Sequence, residues 1–465
     1  MQHSKIGRRG VLGGAVAAAA IAPLAACAGG SSNTPTDQAS TTDTSEDNPF
    51  GLAGGTSVEA VIFDGGYSTD YVDFAAAEMK KKFPDVKVEV KPSTQIAQEL
   101  QPRFVGGNPP DLIDNSGAGF IGFGSIIDQL ETLDDLLDSN SYEGVPIKDT
   151  IFEGVKVPGT YDGKFAVLNY VLSVYGMWYS ASLFEENGWT APKTYEEAID
   201  LGAKAKEKGK FLMLWGKEAA TYYQTSAMIS AIKEGGDEVR LALENLEDNA
   251  WSHPAVQGVF TALETIVKNG YMKPGGNGTQ FTAAQAQWSN AQEALIYPSG
   301  AWIENEMKSQ TKEGFQMTGM PELVLSDSPA LGYESLRAEA GEGFIVPSQA
   351  KNRAGGKEVL RAMLSKEAAT NFAKTRLAPT IVKDTIPEDG FGSSALQSQS
   401  KMLSDAGSNT FGIRFVTYYG LNKEQLVVWN SFLAGDADAK ALTSELQKIS
   451  DRVKNDSSIK KITVE

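Results

Sequence analysis

Cysteine and histidine are nearly absent from this chain of 465 residues: there is one cysteine, Cys27, and two histidines, His3 and His253. A single thiol excludes a disulfide within the chain, so the fold rests on its hydrophobic cores. Histidine-based triads and zinc sites of the usual composition need more imidazole or thiolate than is present. His253 stands in Trp251-Ser252-His253-Pro254, at a helix start, and reads as a cap or surface residue. Positive charge is also scarce, 42 Lys and Arg against 59 Asp and Glu, for a net charge of −17. Such a surface repels nucleic acid and anionic headgroups, and neither is expected as a partner. After Cys27 no run of uncharged apolar residues is long enough to span a bilayer. No cofactor is expected.

What the chain does carry begins with Arg8 to Cys27, RRGVLGGAVAAAAIAPLAAC. An arginine pair, an apolar run too short to span a bilayer, and small residues before a cut have the order of an export signal. Cys27 closes Leu24-Ala25-Ala26-Cys27, where a bacterial lipobox places its thiol. A diacylglycerol thioether there would anchor the amino end to the outer membrane face, since two acyl chains hold stably where one binds marginally. Residues 1–26 are therefore read as a lipoprotein signal peptide. Arg8-Arg9 and the Gly/Ala run resemble a twin-arginine signal, with Gly7 where Ser or Thr is usual. From Ala28 to Asn48 the residues are mainly Gly, Ser, Thr and Asp with no apolar period, which predicts a flexible tether, taken as 27–56.

Residues 27–465 are too many for one hydrophobic core, and with 41% of the chain hydrophobic two domains are expected. Ser57 to Phe63 predicts a strand. Tyr71, Phe74, Ala75, Met79 and Phe83 share a helical face, and Val86 to Lys91 alternates as a second strand. This βαβ unit implies a parallel sheet with a right-handed crossover, and Asp111 to Asp114 enters a third strand. The pattern recurs with strands over Val174 to Ser180, Phe211 to Trp215 and Glu293 to Pro298. Thr194 and Glu197 form a capping box before a helix over 195–208, and Pro254 opens a helix ended by Gly270. Strand-like segments at 344–347 and 378–382, around an Ala-rich helix near 352–375, lack a βαβ partner of their own. The chain is thus expected to leave one lobe near Leu168 and return to it after residue 341. The expected lobes are 57–167 plus 342–382 and 168–341 plus 383–465, joined by crossing strands as a clamp on a ligand.

Particular residues carry a family resemblance. The lipobox, Gly107-Asn108-Pro109-Pro110-Asp111-Leu112, the run from Trp178-Tyr179-Ser180 through Asn187-Gly188-Trp189 to Pro192-Lys193-Thr194, and Tyr297-Pro298-Ser299-Gly300-Ala301-Trp302 resemble the carbohydrate-binding lipoproteins of ABC importers, extracellular solute-binding protein family 1. Val61-Ile62-Phe63-Asp64-Gly65-Gly66-Tyr67, Val167-Leu168-Asn169-Tyr170 and Ser335-Leu336-Arg337-Ala338-Glu339-Ala340-Gly341-Glu342 resemble its branch for N-acetylglucosamine and diacetylchitobiose. The resemblance covers the chain after the leader and departs at Ala118-Gly119-Phe120 and around 217–223. It implies an α/β fold, a two-lobe periplasmic-binding-protein-like clamp of type II as in the maltose-binding proteins, each lobe a mainly parallel sheet flanked by helices. It also implies a non-catalytic monomer, lipid-anchored on the extracellular face of the cell membrane. Such a protein captures N-acetylglucosamine or chitobiose-type oligosaccharides and passes them to the transmembrane subunits of an ABC permease.

A sugar site needs flat apolar faces for the pyranose ring and carboxylate or amide groups for its hydroxyls. In open α/β sheets such groups gather beyond the carboxyl ends of strands. The candidates are Asp64, Gly66 and Tyr67 after the first strand, and Asn115 and Ser116 after the third. Tyr222 and Tyr223 are adjacent, so at most one faces a cleft. Trp302, Glu304 and Asn305 follow the strand at 293–298, Arg337 and Glu339 lie at the crossing, and Arg414, Tyr418 and Tyr419 precede the final helices. Trp302, after a Ser-Gly turn, is the favoured stacking platform, whereas Trp178 in mid-strand reads as core. Glu304 and Glu306 are two apart and point away from each other, so a glycosidase pair around one bond is not expected. Binding of another oligosaccharide, a secreted carbohydrate-active enzyme and a rigid surface module remain the alternatives.

Overall fold

The computed structural model describes residues 42–152, 155–387 and 389–464. The signal peptide, the lipidation expected at Cys27 and the tether through residue 41 lie outside the described residues. The tether ends earlier than 56. Asn48 Oδ1 accepts the Leu52 N–H at 2.8 Å, Arg361 donates to the Asp47 carbonyl at 3.1 Å, and Leu52 and Ala53 are buried. Phe50 and Leu52 are the cause: unlike the polar stretch before them, they have apolar surface to bury.

The first βαβ unit forms as its patterning dictates. Strand β1 (Ser57–Phe63) lies parallel to β2 (Lys87–Ser93), from Ser57↔Lys87 to Phe63↔Ser93, and parallel to β3 (Leu112–Asp114) at Ala60↔Leu112. Val58, Ala60 and Ile62 are buried with residues of helices Asp70–Lys82 and Arg353–Met363. Val61 and Ile113 are buried with Ile96, Leu100 and Phe104 of helix Ile96–Val105.

Two long strands carry the sheet onward. The first half of β4 (Leu168–Ser180) pairs antiparallel with a later strand, and its second half pairs antiparallel with β6 (Ala294–Gly300) and β7 (Met317–Met320). Beyond β6 lies β5 (Phe211–Met213), parallel to it. The partner of the first half is β8 (Leu336–Ile345), joined to β4 from Ala338↔Val174 to Phe344↔Leu168 and to β3 at Phe344↔Asp114. Among the described residues the order is β2-β1-β3-β8-β4-β6-β5, with β7 on β4 and β9 (Thr410–Phe411) on β8. A separate core around Trp215, Tyr223, Phe260, Ile296 and Trp429 packs under helices Thr221–Gly235, Pro254–Lys268 and Asn422–Leu433.

Several boundaries differ from the patterning. β4 starts at Leu168 rather than Val174 because it is buried on both faces, which erases the period of two. β8 starts at Leu336 rather than Phe344, and its charged residues Arg337, Glu339 and Glu342 line a cavity. Residues 378–382 make only single bridges, Val171↔Thr380 and Ile151↔Val382. The helix near 352–375 is two, Arg353–Met363 and Lys366–Arg376, because Ser365 caps the second by accepting the Ala368 N–H at 3.2 Å. The capping box is formed, with Thr194 accepting from Glu197 N at 3.1 Å and Glu197 from Thr194 N at 3.2 Å. His253 is a cap, its Nδ1 accepting the Ala255 N–H at 3.2 Å. No described helix is long and apolar enough to cross a membrane.

Candidate functional site

Where the carboxyl ends of β1 and β3 meet the crossing strands β4 and β8, a cavity of about 800 Å³ opens. Asp64, Gly66, Asn115 and Ser116 line it from β1 and β3. Tyr222 and Trp302 line it from the side of helix Thr221–Gly235 and β6, and Arg337, Glu339 and Arg414 from the crossing. The other candidates do not line it. Tyr67 turns into the core, its ring 5.2 Å from that of Phe372. Tyr223 donates its hydroxyl to the Leu214 carbonyl at 2.6 Å, on the buried face of the helix that presents Tyr222. Glu304 accepts from the Ser393 hydroxyl, and Asn305 stands behind the wall, donating to the Gly66 carbonyl. Tyr418 packs on Tyr161 at 5.3 Å and Tyr419 at 4.9 Å. A larger cavity, about 1100 Å³, adjoins 379–386 and helix Ser394–Ala406, and it lacks the aromatic cluster described next.

Trp302 follows β6 directly and is held by what its neighbours lack. A Cβ on Gly66 would stand 2.9 Å from the Trp302 Cβ, and a Cβ on Gly300 would fall inside the indole, so two glycines leave the ring its place. Tyr175 meets the indole edge-on at 5.5 Å and 83°, and Tyr222 at 5.9 Å and 61°. Tyr175 escaped sequence reasoning because its neighbours in β4 read as core.

Charged groups on β8 face the same space. Arg337 and Glu339 are two apart, hence on one face, and pair at 2.6 Å between Nε and Oε1. The guanidinium lies 4.1 Å from the Tyr175 ring centroid, a cation–π geometry. Glu339 also accepts the Ile413 N–H at 3.1 Å. Arg414 lies over Tyr161 at 5.3 Å and donates to the Thr160 carbonyl at 3.3 Å. Asn115 clamps its loop by donating to the Ile121 carbonyl and accepting from its N–H, both at 2.7 Å, which brings Ala118, Gly119 and Phe120 onto the cavity.

Glu342 lines the cavity and was not anticipated. Its φ is +55°, between Gly341 and Gly343, at the one position the β4–β8 ladder skips. A side chain there costs about 1–3 kcal/mol, so the surroundings hold it in place. Its carboxyl bonds to Asp114 and Ser116, while Ser116 donates to Asp114 and accepts the Gly343 N–H at 3.0 Å. Two carboxyls in contact, Asp114 buried and Glu342 half-buried, do not both ionise. Burial pushes Glu342 up to about 7, and burial together with the Glu342 charge pushes Asp114 well above the usual carboxylate range. The folded state therefore keeps a proton that the unfolded chain releases. The stability this confers is full below about pH 4.5 and is lost as pH rises towards 7. Glu342→Gln should flatten that fall by about 2 kcal/mol once partial solvent screening is allowed for. Urea unfolding at pH 5 and pH 7.5 checks this, and an unchanged difference between the two would contradict it.

A family model described as bacterial extracellular solute-binding protein matches residues 65–370. The diacetylchitobiose binding protein NgcE of Streptomyces coelicolor is 62% identical over 466 residues, covering 100% of this chain and 99% of that protein. Among solved structures, a chitin oligosaccharide binding protein aligns with a TM-score of 0.69 at 16% identity, over 85% of this chain and 98% of its own. SBP RafE in complex with raffinose aligns with a TM-score of 0.68 at 16% identity, over 85% and 99%. These two likenesses are of fold, and the fold is the α/β two-lobe clamp expected from the sequence. By its family match and its full-length relative, the chain belongs to the bacterial extracellular solute-binding protein family.

Proposed function

We propose that this chain is the extracytoplasmic sugar-binding component of an ABC importer. Its ligands are N-acetylglucosamine and chitobiose-type amino-sugar oligosaccharides, delivered to the transmembrane permease subunits. The observation that carries the reading is Trp302, framed edge-on by Tyr175 and Tyr222 and facing a cavity whose crossing strand presents Arg337 and Glu339. A pyranose ring lays its C–H face on the indole, and its hydroxyls pair with groups that would otherwise lose water unpaired. The full-length relative named for diacetylchitobiose supports the same ligand class here. The protein acts without turnover, since Glu304 and Glu306 face different surroundings.

The lobes 57–167 with 342–382 and 168–341 with 383–465 close about β4 and β8. Ligand drives closure only through its greater affinity for the closed state. Calorimetry with N-acetylglucosamine, diacetylchitobiose, maltose and raffinose should give binding of the first two, with a smaller radius of gyration by solution scattering. Binding without compaction favours a rigid surface module, release of monosaccharide from chitobiose favours an enzyme, and binding of raffinose or maltose alone replaces the ligand class. Cys27, acylated after removal of residues 1–26, holds the monomer on the outer membrane face. Cys27→Ser should release the protein or leave the precursor uncut with sugar affinity unchanged; retained membrane attachment rules the anchor out.

A further inference from the structure

The carboxyl groups around the cavity outnumber its cations. Six carboxyl-bearing side chains line it against two arginines. Arg337 is engaged by Glu339, and Arg414 by the Thr160 carbonyl and the Tyr161 ring. Glu306, like Asp64 and Glu342, forms no ion pair among the described residues, and it is the one of these three that acts on the Tyr222 ring of the aromatic cluster. One turn after Trp302 on helix Ile303–Met307, Glu306 accepts from Gln285 Nε2 at 2.7 Å through Oε2. Lys308, two positions on, donates to Asn305 Oδ1 at 2.9 Å instead. The other groups close enough to act on Glu306 electrostatically, Tyr67, Tyr222 and Tyr297, are neutral phenols. Burial accordingly pushes the Glu306 carboxyl up to about 7.

A second observation points the same way. Ser299 lines the cavity at the end of β6, is 5% exposed, and its hydroxyl has no hydrogen-bond partner. A buried polar group without a partner is costly to keep, and Ser299 stands in the wall of the binding cavity. An uncharged acetamide offers one N–H donor. An ammonium offers three donors and a full charge, and aromatic faces stabilise it as well.

We infer that Glu306, Ser299 and the rings of Trp302 and Tyr222 form a subsite for a sugar bearing a free ammonium group, so that partly deacetylated amino-sugar oligosaccharides are ligands alongside acetylated ones. This rests on the amino-sugar reading above and extends it to a different chemical class.

The test is calorimetry on the full chain with diacetylchitobiose and with the same dimer lacking one or both acetyl groups, at pH 7 and low salt. The native protein should bind a deacetylated dimer within about ten-fold of the acetylated one. Glu306→Gln should lose about ten-fold more affinity for the deacetylated dimer than for the acetylated one, the scale of a desolvated cation–π and charge contact. Equal losses for both dimers would make Glu306 an ordinary hydroxyl acceptor and overturn the inference. So would a native protein that binds diacetylchitobiose and rejects both deacetylated forms, a result that does not depend on how the variant folds. If the native protein binds none of the dimers, the amino-sugar reading itself fails and this inference fails with it.

Discussion

Trp302→Ala is expected to weaken sugar binding by about 2–4 kcal/mol, in the range of aromatic hot spots, which is roughly a thirty- to thousand-fold loss of affinity. Little stability should go with it. The indole is only partly buried, and it lies against Gly66 and Gly300 and the edges of Tyr175 and Tyr222. Its removal therefore opens space continuous with the cavity rather than a sealed void. Trp178 supplies the contrast. It is 0% exposed in mid-β4 and packs in a cluster with Trp288 and Tyr297. Trp178→Ala should cost about 3–5 kcal/mol of stability, as buried aromatic truncations do, while sparing the affinity of the folded fraction. Trp302→Phe retains a stacking face and should fall between native and alanine in affinity. Calorimetry and thermal unfolding on all three variants decide the matter. A Trp302→Ala protein that is destabilised but binds normally would return Trp302 to the core and leave Tyr222 or Tyr175 as the platform.

The parts of this site that could be read in the sequence are those written within a few residues. Ser57 to Phe63, the helix after it and Val86 to Lys91 gave a βαβ unit because their periods of two and 3.6 are clean. Trp302 was identifiable because a Ser-Gly pair and a strand precede it. Tyr222 and Tyr223 could be narrowed to one cleft residue by adjacency, and the helix decides which. What escaped depends on distant partners or on burial that hides periodicity. Tyr175 sits in a strand covered on both faces. Glu342 looks like one more charge in LRAEAGEGFI, and only its contact with Asp114 at the end of β3 and Ser116 just after it, more than 200 residues earlier, makes it a shared-proton site. Glu306 reads in the sequence only as half of a pair with Glu304, and its separate surroundings are set by Gln285 and Tyr222. The packing of Phe50 and Leu52 was missed for the same reason, since the helix that receives them lies some 300 residues on.

Arg361→Met is expected to cost about 3–5 kcal/mol of stability, because it leaves a buried carboxylate without its cation. Arg361 is 1% exposed and Glu358, one turn earlier, is 0% exposed. They pair at 3.2 Å, and Tyr142 donates its hydroxyl to Glu358 at 2.9 Å. Arg361 also ties two distant segments down, donating to the Asn140 carbonyl at 2.6 Å and the Asp47 carbonyl at 3.1 Å. Burial pushes Glu358 up to about 7 even though the Arg361 charge pulls it down. Without that charge the carboxyl rises further and takes a proton. The sign follows: the folded variant binds a proton that the unfolded chain releases, so its stability is best kept in acid and is lost as pH rises through neutrality. The deficit against native protein should therefore be larger at pH 8 than at pH 5. Urea unfolding at both values measures it. Adding Glu358→Leu should recover at least half of the deficit, since a packed apolar pair often replaces a buried ion pair with little net loss. A single variant that costs under about 1 kcal/mol, the scale of a surface pair, or a deficit equal at both pH values, would mean that Tyr142 and the neighbouring dipoles hold the Glu358 charge without Arg361.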